Sequence, residues 1–142
     1  MGQPEATKVV IPNDTAKAHA LQAAMVDAAR DAGFTNEDCF AIQLALDEAL
    51  SNAIHHGNCD DPDKQVHVSY RVTPRRFEVS ICDEGCGFKP DDLPDPTAEE
   101  NLTRPHGRGV MLMKAYMHEV SYTRRGRCVN LARIKDAPTP SA

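Results

Sequence analysis

Glu48, Asn52 and His56 recur every fourth residue along the run Leu44-Ala-Leu-Asp-Glu-Ala-Leu-Ser-Asn-Ala-Ile-His-His-Gly57. On a helix, positions i, i+4 and i+8 form one row. A carboxylate and an amide oxygen one turn apart are oxygen ligands of the kind Mg²⁺ takes, with water or phosphate completing its shell. Taken alone, the same row is also what a solvent-facing helix stripe presents. Asn is a mediocre helix former, so its place in mid-helix calls for a reason. His55 and His56 have no third ligand at metal-site spacing.

Two glycine-bearing segments follow. The apolar alternation Phe77-Glu-Val-Ser-Ile81 runs into Cys82-Asp83-Glu-Gly85-Cys-Gly87-Phe88. An Asp at a strand end can accept a hydrogen bond from an exocyclic amine. Adenine carries one at the edge where guanine has a carbonyl. Gly85 and Gly87 remove Cβ atoms where a flat base would approach the backbone, although D-x-G is also a common turn. Further on, His106-Gly107-Arg108-Gly109 opens an apolar run with no Ser, Thr or Asp cap. Uncapped N–H groups and the positive end of a helix dipole suit a phosphate, a flexible hinge being the plain alternative. The sequences G-x-x-x-x-G-K-[ST], G-x-G-x-x-G after an early strand, and the His-Arg-Asp set of eukaryotic-type kinases do not occur.

The elements that must position these groups are legible. Lys8–Ile11 reads as an edge strand, and Asn13-Asp14 as the cap of a helix reaching Asp31, stopped by Gly33. Thr35, with Asp38 three residues on, caps a second helix running to about His56. Val66–Val72 and Phe77–Ile81 alternate as a hairpin, and Val120–Tyr122 with Cys128–Ile134 as another, turning at Arg125-Gly126. Between them, residues 89–105 hold several prolines and acids and read as a lid. A helical pattern resumes over Gly107–Met117. Hairpin-linked strands exclude an all-parallel sheet. The expectation is an α+β fold, an antiparallel or mixed sheet with about three helices on one face.

The 142 residues suit one domain, expected over 8–135 with flexible ends at 1–7 and 136–142. Twenty-one acidic against sixteen basic residues argue against general nucleic-acid binding. No stretch approaches the roughly 20 apolar residues of a membrane span, and the N-terminus lacks the apolar run of a signal peptide. Five scattered cysteines read as reduced, small apolar residues in a cytoplasmic protein. The C-x-x-x-C pair Cys82 and Cys86 has no second pair to complete a zinc site.

In this order, the three elements resemble the GHKL ATPase superfamily, and within it the bacterial anti-sigma factors that are serine-protein kinases. The likeness spans about Lys8 to Lys135. Asp47–Gly57 is similar to the N box, Asp83–Phe88 to the first glycine box, and Gly107-Arg-Gly-Val-Met-Leu-Met113 to the second. The resemblance implies a two-layer sandwich of the Bergerat type that binds ATP and Mg²⁺. It implies that Asn52 binds Mg²⁺, that Glu48 is the general base, and that Asp83 bonds the adenine amine. Gly85 and Gly87 would shape the base pocket, and Gly107, Arg108 and Gly109 would wrap the phosphates. His56, but not His55, matches a position usually filled by His. The family often has Gly-Thr-Thr near the last strand, whereas Gly126-Arg127-Cys128 stands here, so a threonine bond near the base is lost or replaced.

The implied function is an anti-sigma factor that sequesters a sigma factor and phosphorylates an anti-sigma-factor antagonist on Ser or Thr. Related kinases often form homodimers. The alternative is a nucleotide-binding switch that holds a partner without transfer. A histidine kinase is disfavoured because no phospho-accepting helical hairpin precedes the first strand.

Overall fold

The computed structural model describes residues 5–85 and 113–135. Gly87, the lid expected at 89–105, Gly107, Arg108, Gly109 and the tail at 136–142 lie outside the described residues. The chain opens with β1 (Thr7–Pro12) and α1 (Thr15–Asp31). Asp14 caps α1, its Oδ1 accepting from the N–H groups of Ala16 at 2.7 Å and Lys17 at 3.2 Å. Gly33 ends the helix with φ +102°, where a side chain would be strained. Helix α2 (Asn36–Ser51) starts in the expected capping box, Thr35 and Asp38 each accepting from the other's backbone.

The α helix stops one turn earlier than its sequence pattern suggests. Asn52–Gly57 forms a π-helical turn, and the N–H of Asn58 reaches back five residues to the Ala53 carbonyl. Then come β2 (Gln65–Val72), β3 (Arg76–Cys82), a helical turn at 113–116, β4 (Glu119–Thr123) and β5 (Cys128–Ile134). The sheet runs β1-β2-β3-β5-β4 and every pairing is antiparallel. This narrows the expectation of an antiparallel or mixed sheet.

Strand alternation divides the sheet into two faces. Val66, Val68, Phe77, Val79, Ile81 and Leu131 point inward and share one core with Met25 of α1 and Ile42, Leu46 and Leu50 of α2. Buried alanines at 18, 29, 45, 49 and 53 fill that core where larger side chains would hold the layers apart. Arg133 breaks the apolar pattern of β5. Its Nε lies 2.9 Å from Asp38 Oδ1, and its guanidinium donates to the Tyr116 carbonyl at 2.6 Å. This buried pair ties the start of α2 and the helical turn at 113–116 to one strand. The outer face is polar, with Arg76 bridging Glu78 and Glu119 and so holding both carboxyls below their usual range.

One expectation about the cysteines fails. Cys82 and Cys128 form a disulfide across β3 and β5 on the outer face, and Cys39 is the buried free thiol among the described residues. The pairing geometry explains the bridge. The N–H of Asp83 donates to the Arg127 carbonyl at 2.9 Å. The adjacent pair, Cys82 and Cys128, is therefore of the non-hydrogen-bonded kind, in which Cα atoms approach most closely, here to 4.0 Å.

Candidate nucleotide site

The π-helical turn, the end of β3 and the β4–β5 hairpin meet around a cavity of about 210 Å³. Asn58, fully buried at 0% exposure, fixes their meeting. Its Nδ2 donates to Asn13 Oδ1 at 3.1 Å and to the Gln65 carbonyl at 2.9 Å, while its Oδ1 accepts from the Glu84 N–H at 2.8 Å. One amide thus joins the helix end, the β1–α1 corner, the start of β2 and the loop after β3. The sequence offered no sign of this beyond an Asn in a polar loop. His55, by contrast, turns away to pair with Asp60.

Gly57 is more than a helix stop. A Cβ there would stand 2.1 Å from Asp83 Oδ2 and 2.3 Å from its Cγ. Only glycine lets the carboxylate of Asp83 lie against the helix end. Asp83 Oδ1 accepts from the Gly85 N–H at 2.8 Å, and Gly85 has φ +79°, which favours glycine at that turn. Burial pushes the Asp83 carboxyl up to about 6, while the Gly85 N–H and the nearby Arg127 charge act in the opposite direction. A buried, shifted carboxyl on a cavity wall is the kind of group that marks functional sites.

Asn52, His56 and Asp83 line this one cavity, and Gly85 flanks it. Glu48 does not. It is half-buried one turn earlier and lines a separate groove with Thr15, His19, Ser51 and His55, between the start of α1 and the end of α2. The hairpin supplies residues that the sequence reading passed over. Tyr122 faces the cavity from β4 at 40% exposure, and Arg125, Arg127 and Val129 complete that wall. The inward alternation of Val120 and Tyr122 beside a glycine turn was the available signal. Cys128, expected near the base, instead points to the outer face in its disulfide, because strand alternation turns Arg127 and Val129 inward. The side-chain amide of Asn52 has no hydrogen-bond partner among the described residues. A lone amide oxygen on the cavity wall fits Mg²⁺, which needs only one or two protein oxygens beside phosphates.

Comparison with known proteins places the chain in a family. The model of the histidine kinase-like ATPase domain matches residues 11–133. A serine/threonine-protein kinase of Bordetella bronchiseptica, BtrW, is 33% identical over 88 residues, covering 61% of this chain and 62% of its own. An anti-sigma F factor of Shouchella clausii is 34% identical over 89 residues, at 61% and 60% coverage. The serine-protein kinase RsbW of Bacillus subtilis is 31% identical over 94 residues, at 62% and 59%. These alignments span about 60% of the relatives' length. Among solved structures, the RsbU and RsbW domains of a Mycobacterium tuberculosis protein superpose with a TM-score of 0.63 at 14% identity, covering 98% of this chain and 35% of that one. No helix among the described residues is long and apolar enough to cross a membrane. Fold and family model converge, and the chain belongs to the histidine kinase-like ATPase domain family, the GHKL group, among relatives that are anti-sigma factors and serine-protein kinases.

Proposed function

We propose that this chain is a cytoplasmic anti-sigma factor that binds Mg·ATP and phosphorylates Ser or Thr of an anti-sigma-factor antagonist. The observation that carries the reading is the convergence of Asn52, His56 and Asp83 on one cavity walled by Gly57 and the Gly85 turn. Asp83 accepts the adenine amine, and Gly85 with Gly87 leaves room for the base. Asn52 contributes an oxygen to Mg²⁺. Gly107, Arg108 and Gly109 wrap the phosphates beneath the lid. Residues 8–135 act as one domain.

Bound Mg²⁺ supplies neutralisation of phosphate charge. The chain's own groups then position the reactants, which is most of what phosphoryl transfer requires. Glu48 stands in a groove between the start of α1 and the end of α2, separate from the base cavity. An acceptor hydroxyl on another protein reaches Glu48 through that groove, and Glu48 takes its proton as general base. A free sigma factor is held while the antagonist is phosphorylated and cannot compete for it.

The separation of Glu48 from the cavity also favours a second reading, a switch that binds nucleotide and partner without transfer. Incubation with labelled ATP and the antagonist discriminates the two. Glu48→Gln is expected to cut transfer by about 10²–10⁴-fold while sparing ATP binding. Label transfer that persists in this variant removes Glu48 as the base. ATP binding with no transfer by the unaltered chain leaves the switch.

A further inference from the structure

We propose that Arg127 is a positioning residue for base selection. Its guanidinium holds Asp83 in the ionised form, so that the cavity prefers a base with an exocyclic amine over one with a carbonyl at the same edge. The proposal rests on the nucleotide reading above and adds a determinant that neither the glycine boxes nor the N box contains.

The geometry starts at the strand pair. Asp83 and Arg127 are opposite neighbours just past the paired strands, joined by the Asp83 N–H to Arg127 carbonyl bond, and both border the cavity. Arg127 then runs over Gly85. A Cβ at position 85 would meet Arg127 Nε at 3.4 Å and its Cζ at 3.7 Å. Gly85 therefore serves two ends: its φ of +79° shapes the turn and its N–H holds Asp83 Oδ1, while the guanidinium packs in ordinary contact over its Cα.

The other charges around Asp83 are accounted for. Glu84, next in sequence, turns its carboxylate away to His67 Nε2 at 2.8 Å and to the Gln65 N–H at 3.2 Å. From the π-helical turn comes His56; from the hairpin come Tyr122, Arg125 and Arg127, all on the cavity wall. Lys8 and Arg124 line a second groove at the strand end, which Asp83 and Arg127 also border. Among these, Arg127 is the cation whose charge lowers the proton affinity of Asp83, against a burial effect that raises it.

The chemistry of selection follows from the protonation state. An ionised carboxylate only accepts hydrogen bonds, whereas a protonated one has an O–H to donate. An acceptor suits the amine of adenine, and a donor suits the carbonyl that guanine or hypoxanthine presents at that edge. A buried Asp without its cation would drift toward the donor form at neutral pH, and the cavity's preference would drift with it.

Two measurements on the full chain test this. The first is a carbon-13 carboxyl titration of Asp83 without nucleotide, assigned with Asp83→Asn. The unaltered chain is expected to titrate near 6. Arg127→Met is expected to move the midpoint up by about one unit, and Arg127→Lys, which keeps the charge, to restore it. The second is the ratio of ATP to ITP affinity by calorimetry between pH 5 and pH 8. The ratio is expected to fall with acid in the unaltered chain, and at pH 7 to be about tenfold lower in Arg127→Met. An unmoved Asp83 midpoint in Arg127→Met overturns the proposal. So does an equal loss of ATP and ITP with the pH profile unchanged, which would make Arg127 a simple contact. Failure of the unaltered chain to bind either nucleotide would sink the nucleotide reading and base selection with it, even if the Asp83 titration moved as expected.

Discussion

Replacing Asp83 by Asn is expected to stabilise the empty protein while impairing its site. The carboxyl titrates at about 6 in the fold, against 3.8 when unperturbed. A carboxyl whose pKa is raised by folding binds its proton more tightly in the native state. Its contribution to stability is therefore gained as pH falls from about 6 toward 4, and at pH 7 its charge is a cost. Two units correspond to about 3 kcal/mol at full effect. Part of the carboxylate faces the open cavity, and solvent screening reduces this to about 1–2 kcal/mol. Asn keeps the oxygen that accepts from Gly85 and has no charge to bury. Its amide nitrogen then takes the place of Oδ2, against Gly57 on the cavity wall, where it offers a donor to an amine donor. Losing a charge-assisted bond of about 1.5–3 kcal/mol weakens ATP binding by roughly 10–150-fold. Urea unfolding of both proteins at pH 7 and pH 4.5, without nucleotide, isolates Asp83 because every other group titrates alike in the two. The variant is expected to be more stable at pH 7 and the gap to close at pH 4.5. A variant less stable at pH 7, or a gap indifferent to pH, refutes the burial argument.

Gly57→Ala places a methyl 2.1 Å from Asp83 Oδ2. It is expected to cost about 1–3 kcal/mol in chemical denaturation and to lower ATP affinity at least tenfold by calorimetry, because the carboxylate must leave the helix end. Adding Asp83→Ala removes the two nearest atoms but leaves a Cβ at 2.7 Å, so only part of the stability, and none of the binding, is expected to return. Arg133→Met leaves Asp38 charged and buried without its partner, and a loss of about 3–5 kcal/mol is expected in thermal or urea unfolding. A loss below 1 kcal/mol would mean that the pair does not hold α2 to β5.

Most elements were legible because each carries a local cause. Asp14 and the Thr35–Asp38 box announce the helix starts, and alternation in β3 and β5 announces the hairpins. The helix end at Asn52–Gly57 was misread as α because apolar spacing there is nearly the same for an α and a π turn. The cause of widening lies outside the helix, in the contacts that Asn58 makes with Asn13, Gln65 and Glu84, up to 45 residues away. Of the candidate site, Asn52, His56 and Asp83 share one cavity, whereas Glu48 belongs to the neighbouring groove. The i, i+4, i+8 rule places side chains on one helix face but does not say where one cavity ends and the next begins. Tyr122, Arg125 and Arg127 escaped notice because a short hairpin with three arginines looks like solvent-exposed turn chemistry. The structure gives Arg124 and Arg125 φ values of +53° and +58°, where glycine or asparagine is the easier choice.

The disulfide links these observations. A strand's side chains alternate between faces, so a slip of one residue between β3 and β5 would exchange the outer pair for the inner one. The Cys82–Cys128 bridge fixes that register on the outer face, one residue from the site. It thereby fixes Asp83 opposite Arg127, with Gly57 supplying the bare Cα and Gly85 the positive φ that the arrangement needs. Gly126-Arg127-Cys128 stands where the family resemblance leads one to expect Gly-Thr-Thr. One position carries the covalent tie, and the other carries the cation near the Asp83 carboxyl. Cys128 read alone is a missing threonine. Read with Arg127, it is half of a different way to hold the same strand end.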